Sequence, residues 1–253
     1  GAPPGAAKPP ASMTRVLYVD VDGTLVGPGG DLFWGDSTGV AEALLRARRA
    51  GLTVVPISGR GRLQVFELCR LLGLRRGIAE LGCVHVDGRE VRYELGRFPF
   101  SGRTPVEAMH ERGAIALLAS LGLESFDPWN EGREATYLLR GPVGAADANA
   151  ALAAEGFDWC EVVDNGHALH LIPAGTGKAF GVRCDRAHHG LERADAAYVG
   201  DAASDLACAP EVAPGECWLV GNADARLVWP HRTTGHYGAG VAEVVDRLLD
   251  GVR

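Results

Sequence analysis

Short apolar segments alternate with longer amphipathic ones along the first third of the chain. Residues 16–19 and 52–57 are rich in β-branched side chains and lack charge, which indicates two buried strands. The segment between them places apolar side chains at helical spacing and predicts a helix that begins at Asp36 or Ser37 and ends at Arg49. Its buried face is predicted to consist of Val40, Ala43, Leu44 and Ala47. A strand, a helix and a strand in this order favour a parallel βαβ unit.

The pattern changes near Cys83. A helix over about 61–72 and a strand over 76–80 continue the parallel series, but 84–93 then reads as a hairpin across Asp87-Gly88. A second hairpin signal, Asp164-Asn165-Gly166, lies between apolar segments at 158–163 and 167–172. Further elements are predicted as helices over 104–121 and 145–155 and a strand over 135–140. This mixture predicts an antiparallel α+β module, inserted over 83–173.

The parallel pattern returns after the insert. The predicted elements are a helix opening at 175–182, a strand over 195–201, a helix opening at 204–207, a strand over 216–222 and a helix over 240–249. Residues 14–82 and 174–253 are therefore expected to form one α/β core domain with a parallel sheet. Residues 1–13 are rich in proline, alanine and glycine and predict a disordered tail.

Composition and charge argue against several classes of function. The chain has 253 residues, of which 47% are hydrophobic, and a net charge of −7 from 25 basic and 32 acidic residues. No basic block suggests a nucleic-acid partner, and no apolar run reaches membrane-spanning length. The six cysteines form neither a C-x-x-C pair nor a zinc pattern. We therefore expect free thiols in a reducing compartment, and a cytoplasmic protein.

Two carboxylates follow the first predicted strand. Asp20 falls at its carboxyl end, where open α/β sheets place their chemistry, and Asp22 comes two residues later. If the strand continued, both side chains would project to one side, and they would need a cation or a proton to coexist there. The alternative is that Asp22-Gly23 is only a hairpin turn.

Other polar groups fall at the same predicted edge of the sheet. Ser58 follows the second strand, Lys178 opens a helix, and Asp201 and Asp205 follow the strand over 195–201. Each could have a local role, such as a helix cap or a surface charge. Together with Asp20 and Asp22, they indicate a site that binds a metal and an anion.

This arrangement resembles the haloacid dehalogenase superfamily of phosphohydrolases. Residues 20–24 (Asp-Val-Asp-Gly-Thr) match its first motif, 56–60 (Pro-Ile-Ser-Gly-Arg) its second, Gly177-Lys178 its third and 200–205 (Gly-Asp-Ala-Ala-Ser-Asp) its fourth. The insert resembles the type-2 (C2B-like) cap of the Cof-like, sucrose-phosphate and trehalose-phosphate phosphatases. The resemblance implies a Rossmann-like core and a cap. Two departures are Leu81 and Ser204, where many relatives carry asparagine.

The resemblance also implies a mechanism. Asp20 would attack phosphorus and become an aspartyl-phosphate, and Asp22 would protonate the leaving group and later activate water. Mg²⁺ would be held by Asp20, the backbone carbonyl of Asp22, Asp201 and Asp205. Phosphate contacts would come from Thr24, Ser58, Gly59 and Lys178.

The expected activity is Mg²⁺-dependent hydrolysis of a small phosphorylated metabolite, most of all a sugar phosphate. A sugar phosphomutase and a weakly catalytic regulator that binds a phosphorylated ligand are the alternatives. The predicted cap contacts to substrate are Trp129, Glu131, Arg133 and His167, with Asn130 and His170 as further candidates. For His170, between Leu169 and Leu171, the sequence favours a packing role.

Overall fold

The computed structural model describes residues 14–35 and 37–250. The predicted tail over 1–13 and the proposed helix cap at Asp36 lie outside the described residues. No helix in the described part of the chain has both the length and the apolar character needed to cross a membrane.

Most predicted elements are present, with shifts of a few residues at their ends. The strands are β1 Val16–Asp20, β2 Thr53–Ile57, β3 Arg76–Ala79, β4 Val84–Asp87, β5 Glu90–Tyr93, β6 Glu124–Ser125, β7 Tyr137–Arg140, β8 Cys160–Asp164, β9 Leu169–Pro173, β10 Ala196–Gly200 and β11 Cys217–Leu219. The helices are α1 Gly39–Arg49, α2 Arg62–Leu72, α3 Pro105–Glu111, α4 Ala114–Ser120, α5 Ala145–Ala154, α6 Lys178–His188, α7 Ala203–Leu206 and α8 Gly238–Asp250.

The larger sheet has seven strands in the order β11-β10-β1-β2-β3-β4-β5. The five strands from β11 to β3 are parallel, as the βαβ pattern predicts. β1 lies at the centre of the five parallel strands and is buried along its whole length, while α1 buries the predicted face of Val40, Ala43, Leu44 and Ala47. The α/β fold class is confirmed, and the carboxyl ends of β1, β2 and β10 meet at one edge.

The hairpin over 84–93, which the sequence analysis placed in the insert, pairs with this sheet. β4 pairs antiparallel with β3, with Ile78 opposite His85, and β5 forms the edge. A three-residue turn, Glu80–Gly82, reverses the chain and so allows this pairing. We propose that the inserted unit begins after Tyr93.

The smaller sheet has four antiparallel strands in the order β6-β7-β9-β8. One face packs with helices α3, α4 and α5 around a core that includes Met109, Leu118, Leu152 and Leu171. The single helix predicted over 104–121 is wrong, because the chain breaks between α3 and α4 at Gly113, which has φ +86°. Strand β6, only two residues long, was not predicted.

A buried carboxylate ties the two sheets together. The Glu80 side chain is fully buried and accepts hydrogen bonds from the backbone N–H groups of Ala135 (2.9 Å) and Thr136 (2.8 Å). It also accepts a longer bond from the N–H of Glu134. Glu80 and Leu81 have positive φ angles, +50° and +53°. Asparagine adopts this conformation more readily than leucine, which gives a backbone reason for the asparagine that the resemblance implies at position 81.

We expect Glu80→Ala to lower the free energy of unfolding by about 3 kcal/mol or more, because it leaves buried N–H groups without acceptors. Urea denaturation measures the change. Glu90→Ala, an exposed carboxylate on β5, is the matched control and should change stability by less than about 0.5 kcal/mol. A loss of stability below about 1 kcal/mol in Glu80→Ala would show that the Glu80 hydrogen bonds are not needed to stabilise the fold.

Candidate active site

The predicted catalytic groups converge at the carboxyl ends of the parallel strands. Asp20 is the last residue of β1, Ser58 follows β2 and Asp201 follows β10. Lys178 is the first residue of α6. All four line one cavity of about 470 Å³, whose other wall comes from the smaller sheet.

Three carboxylates cluster at this edge of the sheet: Asp20 and Asp201 line the cavity, and Asp205 is buried and does not. Oxygen atoms of Asp20, Asp201 and Asp205 lie within 4.8 Å of one another. The Lys178 ammonium bridges two of them, donating to Asp20 Oδ1 at 2.6 Å and to Asp205 Oδ1 at 2.7 Å. Asp20 is 5% exposed and Asp205 is fully buried, so water screens this cluster weakly.

The cluster has too little positive charge for its carboxylates. Burial raises the pKa of Asp20 well above its ordinary value, and the charges of Asp205 and Asp201 raise it further against the opposing effect of Lys178. Burial and Asp205 also raise the pKa of Asp201. Burial favours protonated Asp205 too, but its bonds with Lys178 and Tyr198 outweigh that effect and lower its pKa. One ammonium does not balance three carboxylates.

The donor set fits a hard divalent cation. Carboxylate oxygens are the ligands that Mg²⁺ prefers, and a second cation would relieve the repulsion inside the cluster. Neighbouring groups fix the ligands in place: the Thr24 hydroxyl donates to Asp201 at 2.9 Å, and the Tyr198 hydroxyl donates to Asp205 at 2.6 Å. A side chain at Gly23 would collide with the Asp201 carboxylate, so glycine keeps that space open.

Asp22 does not join this cluster through its side chain. Its carboxylate pairs with Arg60, which donates at 2.6 Å and 2.9 Å to the two oxygens. Ser58 Oγ lies 3.5 Å from the same carboxylate. The alternative that residues 22–23 form a hairpin is wrong, because β1 is flanked on both sides by parallel strands.

Of the four residues predicted to contact phosphate, three line the cavity and one does not. Ser58, Gly59 and Lys178 line the cavity. Thr24 is fully buried and does not line the cavity, and its hydroxyl donates to Asp201, so its observed contact orients a carboxylate. Its predicted contact with phosphate stays a prediction.

Three of the four residues predicted as cap contacts line the cavity. Trp129, Arg133 and His167 line the cavity, whereas Glu131 is an exposed residue that does not. Arg133 is committed to structure, since it donates to the carbonyls of Trp129 and Gly59 and to the Thr136 hydroxyl. Asn130, a further candidate, bonds the backbone of Leu138 in both directions and is structural.

Sequence reasoning missed several lining residues. They are Arg60, Gln64, Phe126, Leu138, Arg140, Asn165, Ala168, Ala202 and Ser204. Arg60 stands inside the quoted second motif, and the alternation of β7 places Leu138 and Arg140 on one face. The sequence therefore held a signal for Arg60 in its second motif and a signal for Leu138 and Arg140 in the alternation of the strand. His170 also lines the cavity, although the sequence favoured a packing role.

A larger cavity of about 770 Å³ lies at the opposite edge of the sheet, where the strands begin. Arg15, Arg76 and His189 are among its lining residues. None of the predicted site residues lines it. The predicted chemistry therefore belongs to the cavity at the strand ends.

Comparison with curated proteins finds relatives over nearly the whole chain. It is 33% identical over 246 residues to a phosphoglycolate phosphatase of Pyrobaculum neutrophilum, covering 94% of this chain and 96% of that protein. It is 32% identical over 256 residues to a phosphoglycolate phosphatase of Aeropyrum pernix, covering 96% and 97%. No family model matches the chain.

Solved structures show the same fold. A haloacid dehalogenase-like hydrolase from Bacteroides thetaiotaomicron superposes with a TM-score of 0.72 at 19% identity, covering 93% of this chain and 99% of that chain. The sucrose-phosphatase of Synechocystis, solved with sucrose and phosphate, gives 0.67 at 17% identity and covers 93% and 98%. Given this fold and 33% identity with a phosphatase over 94% of its length, the chain belongs to the haloacid dehalogenase superfamily as a phosphatase.

Proposed function

We propose that this phosphatase is Mg²⁺-dependent and hydrolyses a small phosphate monoester through an aspartyl-phosphate on Asp20. One observation supports this above the others: the Asp20, Asp201 and Asp205 carboxylates meet within 4.8 Å beside the Lys178 ammonium. A phosphate dianion cannot approach an anionic nucleophile unless positive charge lies next to both.

In this proposal, Asp20 is the nucleophile. Its Oδ1 is held by Lys178, and its carboxylate ends a buried strand whose backbone is fixed by β2 and β10 on either side. Lys178 also offers charge to the phosphoryl oxygens, because its ammonium lies in the cavity wall. The Ser58 hydroxyl and the backbone around Gly59 line the same wall and bind the remaining oxygens.

The carboxylates of Asp20, Asp201 and Asp205, with the backbone carbonyl of Asp22, would hold Mg²⁺. When bound, the ion neutralises charge on the phosphoryl group and on the cluster. Thr24 and Tyr198 keep two of these carboxylates oriented, as their hydrogen bonds to Asp201 and Asp205 indicate.

Asp22 acts as the acid and base. It donates a proton to the oxygen that leaves phosphorus, and then takes a proton from the water that attacks the aspartyl-phosphate. Arg60 contacts both of its oxygens and holds the carboxylate in place, while a second lone pair on each oxygen stays available for a proton. Arg60 is therefore a positioning residue that restricts Asp22 to one orientation.

Two substrate classes are supported by separate observations. The names of the curated relatives point to phosphoglycolate, a short phosphorylated hydroxy acid. The cavity of about 470 Å³ has room for a larger leaving group, which favours the sugar phosphate expected from the sequence. Isomerised product without phosphate release would instead indicate the mutase alternative.

We expect the wild type with Mg²⁺ to release phosphate from 2-phosphoglycolate or from a hexose phosphate, and EDTA to abolish the release. Asp20→Asn should reduce kcat at least about 10³-fold, because the amide is a poor nucleophile. Colorimetric phosphate release measures both effects.

Asp147→Asn, an exposed carboxylate on α5, makes the same chemical change away from the cavity and should retain full activity. Activity that persists in EDTA, or in Asp20→Asn, would contradict the proposal.

Arg60→Lys should lower kcat about tenfold to a hundredfold with a smaller change in KM, because lysine cannot hold both oxygens of Asp22. Steady-state kinetics with Mg²⁺ measures the two constants. Arg62→Lys is the matched control, since Arg62 pairs with Glu134 and does not line the cavity. Equal effects of the two variants would argue against a role for Arg60 in positioning Asp22.

A further inference from the structure

His170 faces the cavity from the middle of the smaller sheet. Its neighbours on β9, Leu169 and Leu171, belong to the hydrophobic core of that sheet. Because side chains alternate along a strand, His170 projects from the opposite face, beside its pairing partner Leu138 on β7. Both residues line the cavity above the carboxylate cluster.

The imidazole is buried but incompletely bonded. His170 is 2% exposed, and its Nδ1 is buried without a hydrogen-bond partner. Orphaned buried N–H groups are rarer than orphaned acceptors. We therefore assign the lone pair to Nδ1 and the proton to Nε2.

The ring edge formed by Cε1 and Nε2 lies against the loop that follows Ser58. A Cβ atom on Gly59 would lie 3.4 Å from His170 Nε2 and 3.0 Å from its Cε1. The same point lies 3.2 Å from Asn165 Nδ2. The edge of the imidazole and the Asn165 amide nitrogen thus pack closely against Gly59, next to the proposed phosphate site.

The ring is neutral at physiological pH. Burial, followed by the charges of Arg133, Lys178 and His167, lowers the pKa of His170 to about 3. A neutral donor can bind an oxygen without adding another positive charge beside Lys178.

We propose that His170, together with Asn165, selects substrates by donating a hydrogen bond from Nε2 to an acceptor oxygen on the leaving group. The oxygen belongs to a carboxylate or a hydroxyl close to the ester. This inference rests on the proposed phosphatase reaction and adds the residue that distinguishes one monoester from another. A site built to donate to such an oxygen discriminates against an analogue without it, because its buried donor is then unpaired.

The test compares substrates with and without the acceptor. Ethyl phosphate has no acceptor oxygen on its leaving group, 2-phosphoglycolate supplies a carboxylate and glucose 6-phosphate supplies hydroxyls. His170→Leu replaces the imidazole with an apolar side chain of similar size and so removes the donor. We expect it to lower kcat/KM about tenfold to a hundredfold for whichever acceptor-bearing substrate the wild type uses, and less than about threefold for ethyl phosphate.

Two amide variants refine the geometry. The amide nitrogen of His170→Gln reaches the position of Nε2, whereas that of His170→Asn reaches only that of Nδ1. Glutamine should restore most of the lost selectivity, and asparagine should not. A purely structural role predicts equal losses on all substrates in every variant, and that result would overturn the proposal.

A binding measurement separates this inference from the proposed reaction. Calorimetry with Mg²⁺ and Asp20→Asn compares the affinities of 2-phosphoglycolate, glucose 6-phosphate and ethyl phosphate, with and without His170→Leu. If the wild type releases no phosphate, the proposed reaction fails. A selective loss of affinity for an acceptor-bearing ligand would still support His170, and an unchanged affinity ratio would refute it.

Discussion

Repulsion among three buried carboxylates is the constraint on which the rest of the site depends. Asp201 and Asp205 lie four residues apart at the start of α7, but Asp20 comes from a distant part of the chain, and no local structure would hold it within 4.8 Å of them. Parallel pairing of β1 with β10 brings two strand ends together. Lys178 at the start of α6 supplies an ammonium that offsets part of the repulsion between the carboxylates. The remaining negative charge suits a divalent cation and, through it, a phosphate ester.

The smaller sheet is attached to this centre by buried polar bonds. Glu80 receives N–H groups from the segment that leads into β7, and Arg133 in the same segment donates to the Gly59 carbonyl. The two contacts place the sheet face that carries His170 over the loop following Ser58. Substrate selection in our proposal therefore depends on an anchor that lies away from the carboxylates.

Much of the fold could be predicted from local pattern. The five parallel strands, the helix face of α1 and the hairpin turns all follow from periodicity and turn residues. Expectation and structure differed where a decision was not local. The hairpin over 84–93 has the same pattern whichever sheet it joins, and only its pairing with β3 assigns it. The break at Gly113 was missed because apolar spacing continues across it.

The amino-acid sequence by itself determined the chemistry: which carboxylates, which lysine and which loop stand at strand ends. It did so because strand direction and motif spacing are short-range properties that a single chain displays. Only the tertiary structure decided how those groups are used. Thr24 donates its hydroxyl to Asp201, Arg60 was overlooked but holds Asp22, and His170 was judged to be packing but lines the cavity. Each of these outcomes depends on a partner far away in the sequence, and hydrogen bonding and burial between distant segments leave no periodic signal.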